Sequence, residues 1–186
     1  MQVITAYRCN KLKGEINMAY FNGERIENAI LKGISGKDIR FKNFAGKQTD
    51  YNPEGKRTFS ILLTDEEAEE LASKGWRIKM LQNRKDPEAP DIPTIKVRVS
   101  YGVVPPKMYL VTSKKKELLT EETCMLLDTA EIVKLDIVLS PYIAKMAKDD
   151  LASAYVKTAY FTIVEDDPFE DEYAEIGADE DGAPLF

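Results

Sequence analysis

The chain has 186 residues, 44% of them hydrophobic, and it contains no histidine. This length and composition allow one sizeable hydrophobic core, and a second full domain would have to be unusually small. Because histidine is the commonest acid or base near neutral pH and the commonest metal ligand, its absence makes most hydrolase mechanisms hard to write.

The sequence favours a cytoplasmic protein without membrane contact. It has no run of 18 or more apolar residues, and its first 17 residues lack the contiguous apolar core of a signal peptide. The two cysteines, Cys9 and Cys124, belong to no CxxC or Cys/His pattern and indicate neither a zinc site nor a disulfide framework. We therefore expect no cofactor and no metal.

Charge is divided unevenly along the chain. The net charge is −6, yet residues 165–186 contain ten of the 32 acidic residues and no Lys or Arg. Residues 1–164 hold the other 22 acidic residues and all 26 basic residues, which gives them a net charge of +4. A basic body with an acidic tail suggests that the body contacts a polyanion and that the tail is solvated or binds a partner.

The chain divides into three predicted parts. Residues 1–26 form a flexible extension, residues 27–164 form the core, and residues 165–186 form a disordered acidic tail. Within the extension, Lys13-Gly14-Glu15 can be encoded by a purine-rich ribosome-binding sequence at a workable distance before the Met18 codon. We expect Met18 to be the biological start, which mass spectrometry of the native protein can test.

The first half of the core reads as strands followed by one helix. From Glu27 to Phe44 the pattern predicts two strands with a turn at Gly36, and TFSILL is a third strand after a loop. The segment TDEEAEELASKG is the clearest helix, with Thr64 as its N-cap and Glu67 at the reciprocal capping-box position.

The second half consists mainly of strands, predicted at WRIKML, IKVRVSYGVV, MYLVT, EIVKLDIVL and AYVKTAYFTIV. In the second of these, Lys96 and Arg98 alternate with Ile95 and Val97, so one face is apolar and the other is basic. TEETCMLLDTA predicts a short helix capped by Thr120. The pattern predicts a mainly β fold, a five-stranded antiparallel barrel of the oligonucleotide-binding type with one or two short helices.

The core offers both ingredients of a single-strand-binding surface, cations for phosphates and aromatic rings for bases. Arg40, Lys42 and Phe44 lie at strand spacing and are predicted to project from one face. The other candidate contacts are Lys47, Tyr51, Lys56, Arg57, Trp76, Lys79, Lys96, Arg98, Tyr101, Lys114 and Lys115. The alternative for Phe44, Tyr101 and Trp76 is burial in the core, and the alternative for the lysine turn is a role in solubility alone.

The sequence does not favour an enzyme. A magnesium nuclease centre could be imagined at Asp128, Glu131 and Asp136, but Glu131 and Asp136 are five residues apart on a strand and should face opposite sides. Neither a GxxxxGK[ST] loop nor a glycine-rich dinucleotide turn is present.

The acidic tail ends in an apolar tip. Such a tip, with its carboxylate and preceding acids, suits an apolar pocket ringed by Arg or Lys on another protein. The predicted partner-binding residues are Asp179, Glu180, Asp181, Pro184, Leu185 and Phe186.

Several segments resemble phage-type single-stranded DNA-binding proteins with an oligonucleotide-binding fold. The resemblance rests on FKNFAGKQTDYNPEGKRTFSILL, GWRIKML, IKVRVSYGVVPPKMYLV, LLDTAEIVKLDIVLSPY and VKTAYFTIVEDDPFEDEY. It covers about residues 27–173, and NPEGKRTF and VPPK are its most specific stretches. The ending DEDGAPLF is similar to the acidic, Phe-terminated tails of bacterial and phage proteins that coat single strands, although Ala183-Pro184-Leu185 departs from the commonest bacterial tip.

The resemblance implies a non-enzymatic protein that coats single-stranded DNA during phage replication or recombination, in the cytoplasm of the bacterial host. Its tail would recruit a polymerase, helicase or recombinase, and the protein could be a homodimer. The alternative is an acidic DNA mimic or adaptor that binds other replication proteins without touching DNA. Titration with oligo-dT separates the two.

Overall fold

The computed structural model describes residues 19–82, 90–144 and 149–164. Strands dominate these ranges and confirm the predicted mainly β fold. The strands are β1 (Tyr20–Phe21), β2 (Glu24–Arg25), β3 (Ala29–Ser35), β4 (Ile39–Asn43), β5 (Arg57–Leu62), β6 (Ile78–Leu81), β7 (Ile92–Val99), β8 (Lys107–Val111), β9 (Lys116–Leu119), β10 (Ile132–Tyr142) and β11 (Ser153–Ile163). The described ranges hold one α-helix, α1 (Asp65–Ser73), and 3₁₀ turns at Gly36–Asp38 and Cys124–Asp128.

Nine strands form one sheet, and β1 and β2 form a separate hairpin. Hydrogen-bonded neighbours follow the order β3, β10, β11, β7, β5, β4, while β6 pairs with β7 and β8 pairs with β11 and β9. Most pairs are antiparallel, but β11 runs parallel to β7 and β8. Beside the main path, β6, β8 and β9 enlarge the sheet beyond the five strands that were predicted.

The two ends of the strand path belong to one bent segment. β3 ends at Ser35 and β4 begins at Ile39, with only the Gly36–Asp38 turn between them. A Cβ atom on Gly36 would lie 1.5 Å from the carbonyl oxygen of Ile132 in β10, so only glycine fits this approach. Within the described ranges the path stays open between β3 and β4, and the sheet is not a closed barrel.

Aromatic rings fill the centre of the core. Phe44, Phe59 and Phe161 are fully buried, with ring centroids 5.1, 5.6 and 6.1 Å apart. Trp76, which follows the helix, is only 1% exposed. Each of these side chains contributes on the order of 2 kcal/mol through burial, so the central strands and the helix end are held to one core.

Helix α1 begins with the predicted capping box. The Thr64 hydroxyl accepts a hydrogen bond from the Glu67 N–H, and the Glu67 carboxylate accepts one from the Thr64 N–H over 2.9 Å. Gly75, at φ +86°, ends the helical segment, and a Cβ atom there would lie 2.5 Å from the Phe21 ring. No helix in the described parts of the chain is long and apolar enough to cross a membrane.

The second predicted helix is only a turn. The hydroxyl of Thr120 accepts a hydrogen bond from the Thr123 N–H, and a 3₁₀ turn follows at Cys124–Asp128. Asp128 ends this turn and accepts hydrogen bonds from the Phe44 N–H (2.7 Å) and the Ala45 N–H (2.8 Å). These contacts fix the end of the turn to the segment after β4.

Candidate nucleic-acid interface

The outer surface of β5 and β7 carries a row of cations. Lys96 lies opposite Ser60 and Arg98 lies opposite Thr58, while their neighbours in sequence point into the core. Arg40 of β4 also lies opposite Ser60, so it projects from the same surface. The strand alternation predicted for residues 95–98 is confirmed, because Ile95 and Val97 are buried.

Lys79 joins this surface from β6. It lies opposite Thr94, two residues before Lys96 in β7, and alternation therefore gives both lysines the same outward direction. We call Arg40, Lys79, Lys96 and Arg98 the basic face. None of the four forms an ion pair with a described residue.

The basic face concentrates positive charge. Partial burial lowers the pKa of Lys96 below the ordinary lysine range, and the neighbouring charges of Lys79 and Arg98 lower it further. Burial is thus the main cause of the lower pKa, and repulsion of Lys96 by the two neighbouring cations adds to it. A polyanion laid on this face would relieve that repulsion.

A groove of about 470 Å³ lies between the basic face and the loop after β4. The Lys96 ammonium donates to the side-chain oxygen of Asn52 over 3.0 Å, and the Asn52 amide donates to the Thr58 hydroxyl over 2.9 Å. Tyr51 is 78% exposed at the groove wall, beside Lys56. The loop that was predicted to contribute Tyr51 and Lys56 is thus tied directly to the basic face.

Tyr155 of β11 lies at the other side of the groove and was missed by sequence reasoning. It is paired in register with Arg98, whose guanidinium lies 5.8 Å from the tyrosine ring centroid and 3.3 Å from its hydroxyl. Tyr142 packs edge-on against the same ring at 5.4 Å. The sequence does contain an indication of this residue, because the strand segment AYVKTAYF places two tyrosines among small and basic residues.

Arg57 and Tyr101 form the end wall of the groove. Arg57 makes an ion pair with Glu121 at 2.9 Å, and its guanidinium lies 5.9 Å from the centroid of the half-buried Tyr101 ring. Burial is the main cause that raises the pKa values of Tyr101 and of the adjacent Cys124. Glu121 is the one acidic side chain on the described groove wall, and its ion pair offsets part of the charge of Arg57.

Two predicted aromatic contacts must be corrected. Phe44 is 0% exposed and Trp76 is 1% exposed, so neither offers a ring face to a base. A β-bulge between Arg40 and Asn43 shifts the alternation of β4 by one residue and turns Phe44 inward. The prediction that Arg40, Lys42 and Phe44 share one face is therefore wrong.

The same bulge exposes an aromatic residue that the sequence did not single out. Phe41 is 64% exposed and has a φ of +52°, a conformation that L-residues with large side chains rarely adopt. It lies between Arg40 and Lys42, whose ammonium donates to the carbonyl oxygen of Ala130 over 3.1 Å. Strain of this kind often accompanies function, and an exposed ring beside the basic face is suited to stacking.

The remaining predicted cations lie outside the groove. Lys47 is exposed, and its backbone exchanges hydrogen bonds of 2.9 Å with the Asn43 side chain. Lys114 and Lys115 lie in the exposed turn between β8 and β9, where Lys115 forms an ion pair with Glu117 at 3.9 Å. Neither lysine of this turn lines the groove.

The acidic residues that could have formed a nuclease centre are used differently. Asp128 binds backbone N–H groups, and Asp136 accepts from the Gly33 N–H and pairs with Lys134 at 2.9 Å. Hydrogen bonding to Lys134 is the main cause that lowers the pKa of Asp136. In the described parts of the chain, no group of three acidic or cysteine side chains is arranged to hold a metal ion.

The predicted partner-binding tail and the predicted start at Met18 lie outside the described residues. The tail residues concerned are Asp179, Glu180, Asp181, Pro184, Leu185 and Phe186.

A family model described as "putative phage ssDNA-binding domain" matches residues 19–183. The match includes every described strand of the basic face and both walls of the groove. Comparison with curated proteins gave no match, and comparison with solved structures gave none either.

Proposed function

Because the chain belongs to the phage single-stranded-DNA-binding domain family, whose model matches residues 19–183, we propose that its basic face binds single-stranded DNA without sequence preference. The observation that carries the proposal is the cluster of Lys79, Lys96 and Arg98, which form no ion pair with a described residue. Lys96 and Arg98 of this cluster line a groove together with Tyr51 and Tyr155. Phosphates would contact the cations while bases stack on the rings, and neither contact reads the identity of a base.

The strand arrangement supports an oligonucleotide-binding type of barrel. If the bent segment 29–43 counts as one strand, then β5, β7, β10 and β11 complete a set of five. Proteins of this type bind single strands on the face of strands two and three and at the loop between strands one and two. These places correspond to the outer face of β5 and β7 and to the loop that carries Tyr51.

Binding is tested by titrating a fluorescently labelled oligo-dT at several salt concentrations and following its anisotropy. The label is preferable to intrinsic tryptophan emission, because Trp76 is buried away from the groove. If three or four phosphates are neutralised, a plot of log K against log salt should have a slope of roughly −2 to −3. Saturable binding reversed by salt supports the proposal, whereas no binding at low salt favours the DNA mimic and degradation of the oligomer favours a magnesium nuclease.

We further propose that the protein coats and protects single strands during phage replication or recombination in the host cytoplasm, without being an enzyme. Residues 165–186 carry ten acids and no cation, and they end in Pro184, Leu185 and Phe186. An apolar tip of this kind would recruit a polymerase, helicase or recombinase, and a homodimer would present two tips. In free protein the acidic tail would compete weakly with DNA for the basic face.

Deletion of residues 165–186 tests the role of the tail. DNA affinity should stay the same or rise, because a competing polyanion is removed, while capture of replication proteins from infected cells should be lost. Phe186→Ala is the matched control, since it leaves every charge in place: it should abolish capture without changing DNA affinity. A large loss of DNA affinity on deletion would contradict the assignment of the tail.

A further inference from the structure

A β-bulge at Lys157 gives β11 two outward-facing tyrosines. Val156 and Thr158 pair with adjacent residues of β10, so Lys157 has no partner and the alternation shifts by one residue. Tyr155 and Tyr160 are five residues apart and would point to opposite faces of a regular strand. Because of the bulge, both lie on the outer face, and bulges are known to redirect side chains in this way.

Tyr160 belongs to a second aromatic cluster. It lies opposite Tyr109 of β8, and the two rings stack with their centroids 5.0 Å apart and their planes 14° apart. The Lys116 ammonium from β9 lies 4.9 Å from the centroid of Tyr109 and 5.8 Å from that of Tyr160. Tyr160 is 37% exposed, so this Tyr109–Tyr160–Lys116 cluster presents aromatic surface and a cation together.

We propose that single-stranded DNA leaves the groove beside Tyr155 and continues along β11 to the Tyr109–Tyr160–Lys116 cluster, a second subsite where a base stacks and Lys116 contacts a phosphate. This inference rests on the proposed function. Five residues of strand separate Tyr155 from Tyr160 by roughly 15 Å. A DNA strand that contacts both tyrosines must be longer than one that binds in the groove alone.

The charges between the two sites favour DNA over a protein partner. Lys107 lies opposite Thr158 on the outer face, and Lys157 is exposed at the bulge. Neither lysine forms an ion pair with any described residue. The nearby acids each lie beside a lysine: Asp136, opposite Tyr160 in β10, pairs with Lys134 at 2.9 Å, and Glu117 pairs with Lys115 at 3.9 Å. Lys107, Lys116 and Lys157 therefore give the route along β11 a net positive charge.

The experiment compares two lengths of labelled oligo-dT, about 5 and about 15 nucleotides, which lie near the limits for one domain of the oligonucleotide-binding type. Tyr160→Leu keeps apolar packing and removes the aromatic ring. It should weaken binding of the longer oligomer about tenfold, the effect of losing one stacked base, and change binding of the shorter one less than twofold. Tyr160→Phe keeps the ring and should bind both lengths as the unchanged protein does.

Lys96→Ala serves as the groove control and should weaken both lengths. If Tyr160→Leu binds the longer oligomer as tightly as the unchanged protein does, the second subsite is overturned. The Tyr109–Tyr160–Lys116 cluster would then be a surface for a protein partner. An equal loss for both lengths also overturns it, because Tyr160 would then act through the fold or the groove. If the unchanged protein binds neither length, the proposed function itself fails, and this outcome is distinct from the other two.

Discussion

The Lys96 ammonium of β7 donates a hydrogen bond to the side-chain oxygen of Asn52 over 3.0 Å, and this bond joins the basic face to the loop that carries Tyr51. It holds the cation at the floor of the groove. The same lysine is repelled by Lys79 and Arg98, so its charge is positioned but not neutralised. Lys96 is therefore the residue whose replacement should affect DNA binding most directly.

Lys96→Ala should weaken oligo-dT binding about tenfold and reduce the magnitude of the salt slope by about 0.7, because one phosphate contact is lost. The loss should be similar for all sequences. Lys74→Ala is a matched control, since Lys74 ends helix α1 and pairs with Glu70 away from the groove. A Lys96→Ala protein with an unchanged salt slope would contradict contact between Lys96 and phosphate.

The depressed pKa of Lys96 predicts a specific response to alkaline pH. Its pKa is lower in the folded than in the unfolded protein, so the charged form is disfavoured by folding. As pH rises through the folded-state pKa, this unfavourable contribution disappears, so the free energy of unfolding increases. Over the same range Lys96 loses its charge, and DNA loses a contact with a cation. Lys96→Gln, which has no such titration, is the reference for both effects.

Both effects are measured from pH 7 up to the ordinary lysine pKa. Anisotropy gives the DNA affinity, and chemical denaturation gives the free energy of unfolding. DNA affinity of the unchanged protein should fall toward that of Lys96→Gln as pH rises, and the difference in unfolding free energy should narrow. Parallel pH profiles for the two proteins would show that Lys96 keeps an ordinary pKa.

Local patterns predicted much of the fold and part of the site. The two-residue period of IKVRV separated Lys96 and Arg98 from the core, and the Thr64–Glu67 spacing identified the start of the helix, because both signals depend only on near neighbours in sequence. The same strand reasoning failed at Phe44. There the bulge after Arg40 changed which side of the strand faces the core.

Contacts between distant segments were beyond the reach of sequence periodicity. Tyr155 meets Arg98 only because β11 runs parallel to β7 for two residue pairs, and Tyr160 faces outward only because of the bulge at Lys157. Bulge positions are set by pairing with strands far away in the chain, so a single strand segment does not reveal them. Aromatic residues near a strand bulge are thus the ones most easily assigned to the wrong face.

Arg57 should matter more for stability than for DNA binding. Its guanidinium packs over Tyr101 and pairs with Glu121, and its side chain is 19% exposed. Arg57→Ala removes both contacts and should lower the free energy of unfolding by about 1–2 kcal/mol, with a smaller loss of DNA affinity than Lys96→Ala. Urea denaturation and oligo-dT anisotropy are measured on both variants. Arg57→Ala should lose more stability than Lys96→Ala, and Lys96→Ala should lose more DNA affinity.

Glu121→Gln provides the complementary test of the groove. It removes the one acidic side chain on the described groove wall and leaves Arg57 with its full charge. Affinity for oligo-dT should rise about twofold to fivefold, because the added net charge lies beside the path of the phosphates. An unchanged affinity would show that DNA does not approach the Arg57 end of the groove.

Phe41 combines unfavourable backbone geometry with an exposed ring, which suggests that its side chain has a binding role. At φ +52° a phenylalanine is strained by roughly 1–2 kcal/mol, and glycine avoids this cost. Because the ring is 64% exposed, its removal sacrifices little packing. Phe41→Gly should therefore leave stability unchanged or raise it by up to about 1 kcal/mol, while oligo-dT affinity falls fivefold or more through the loss of a stacked base. Phe41→Tyr keeps the ring and should bind DNA normally. A less stable Phe41→Gly protein would identify the ring as a packing element, and an unchanged DNA affinity of this variant would show that no base stacks on the ring.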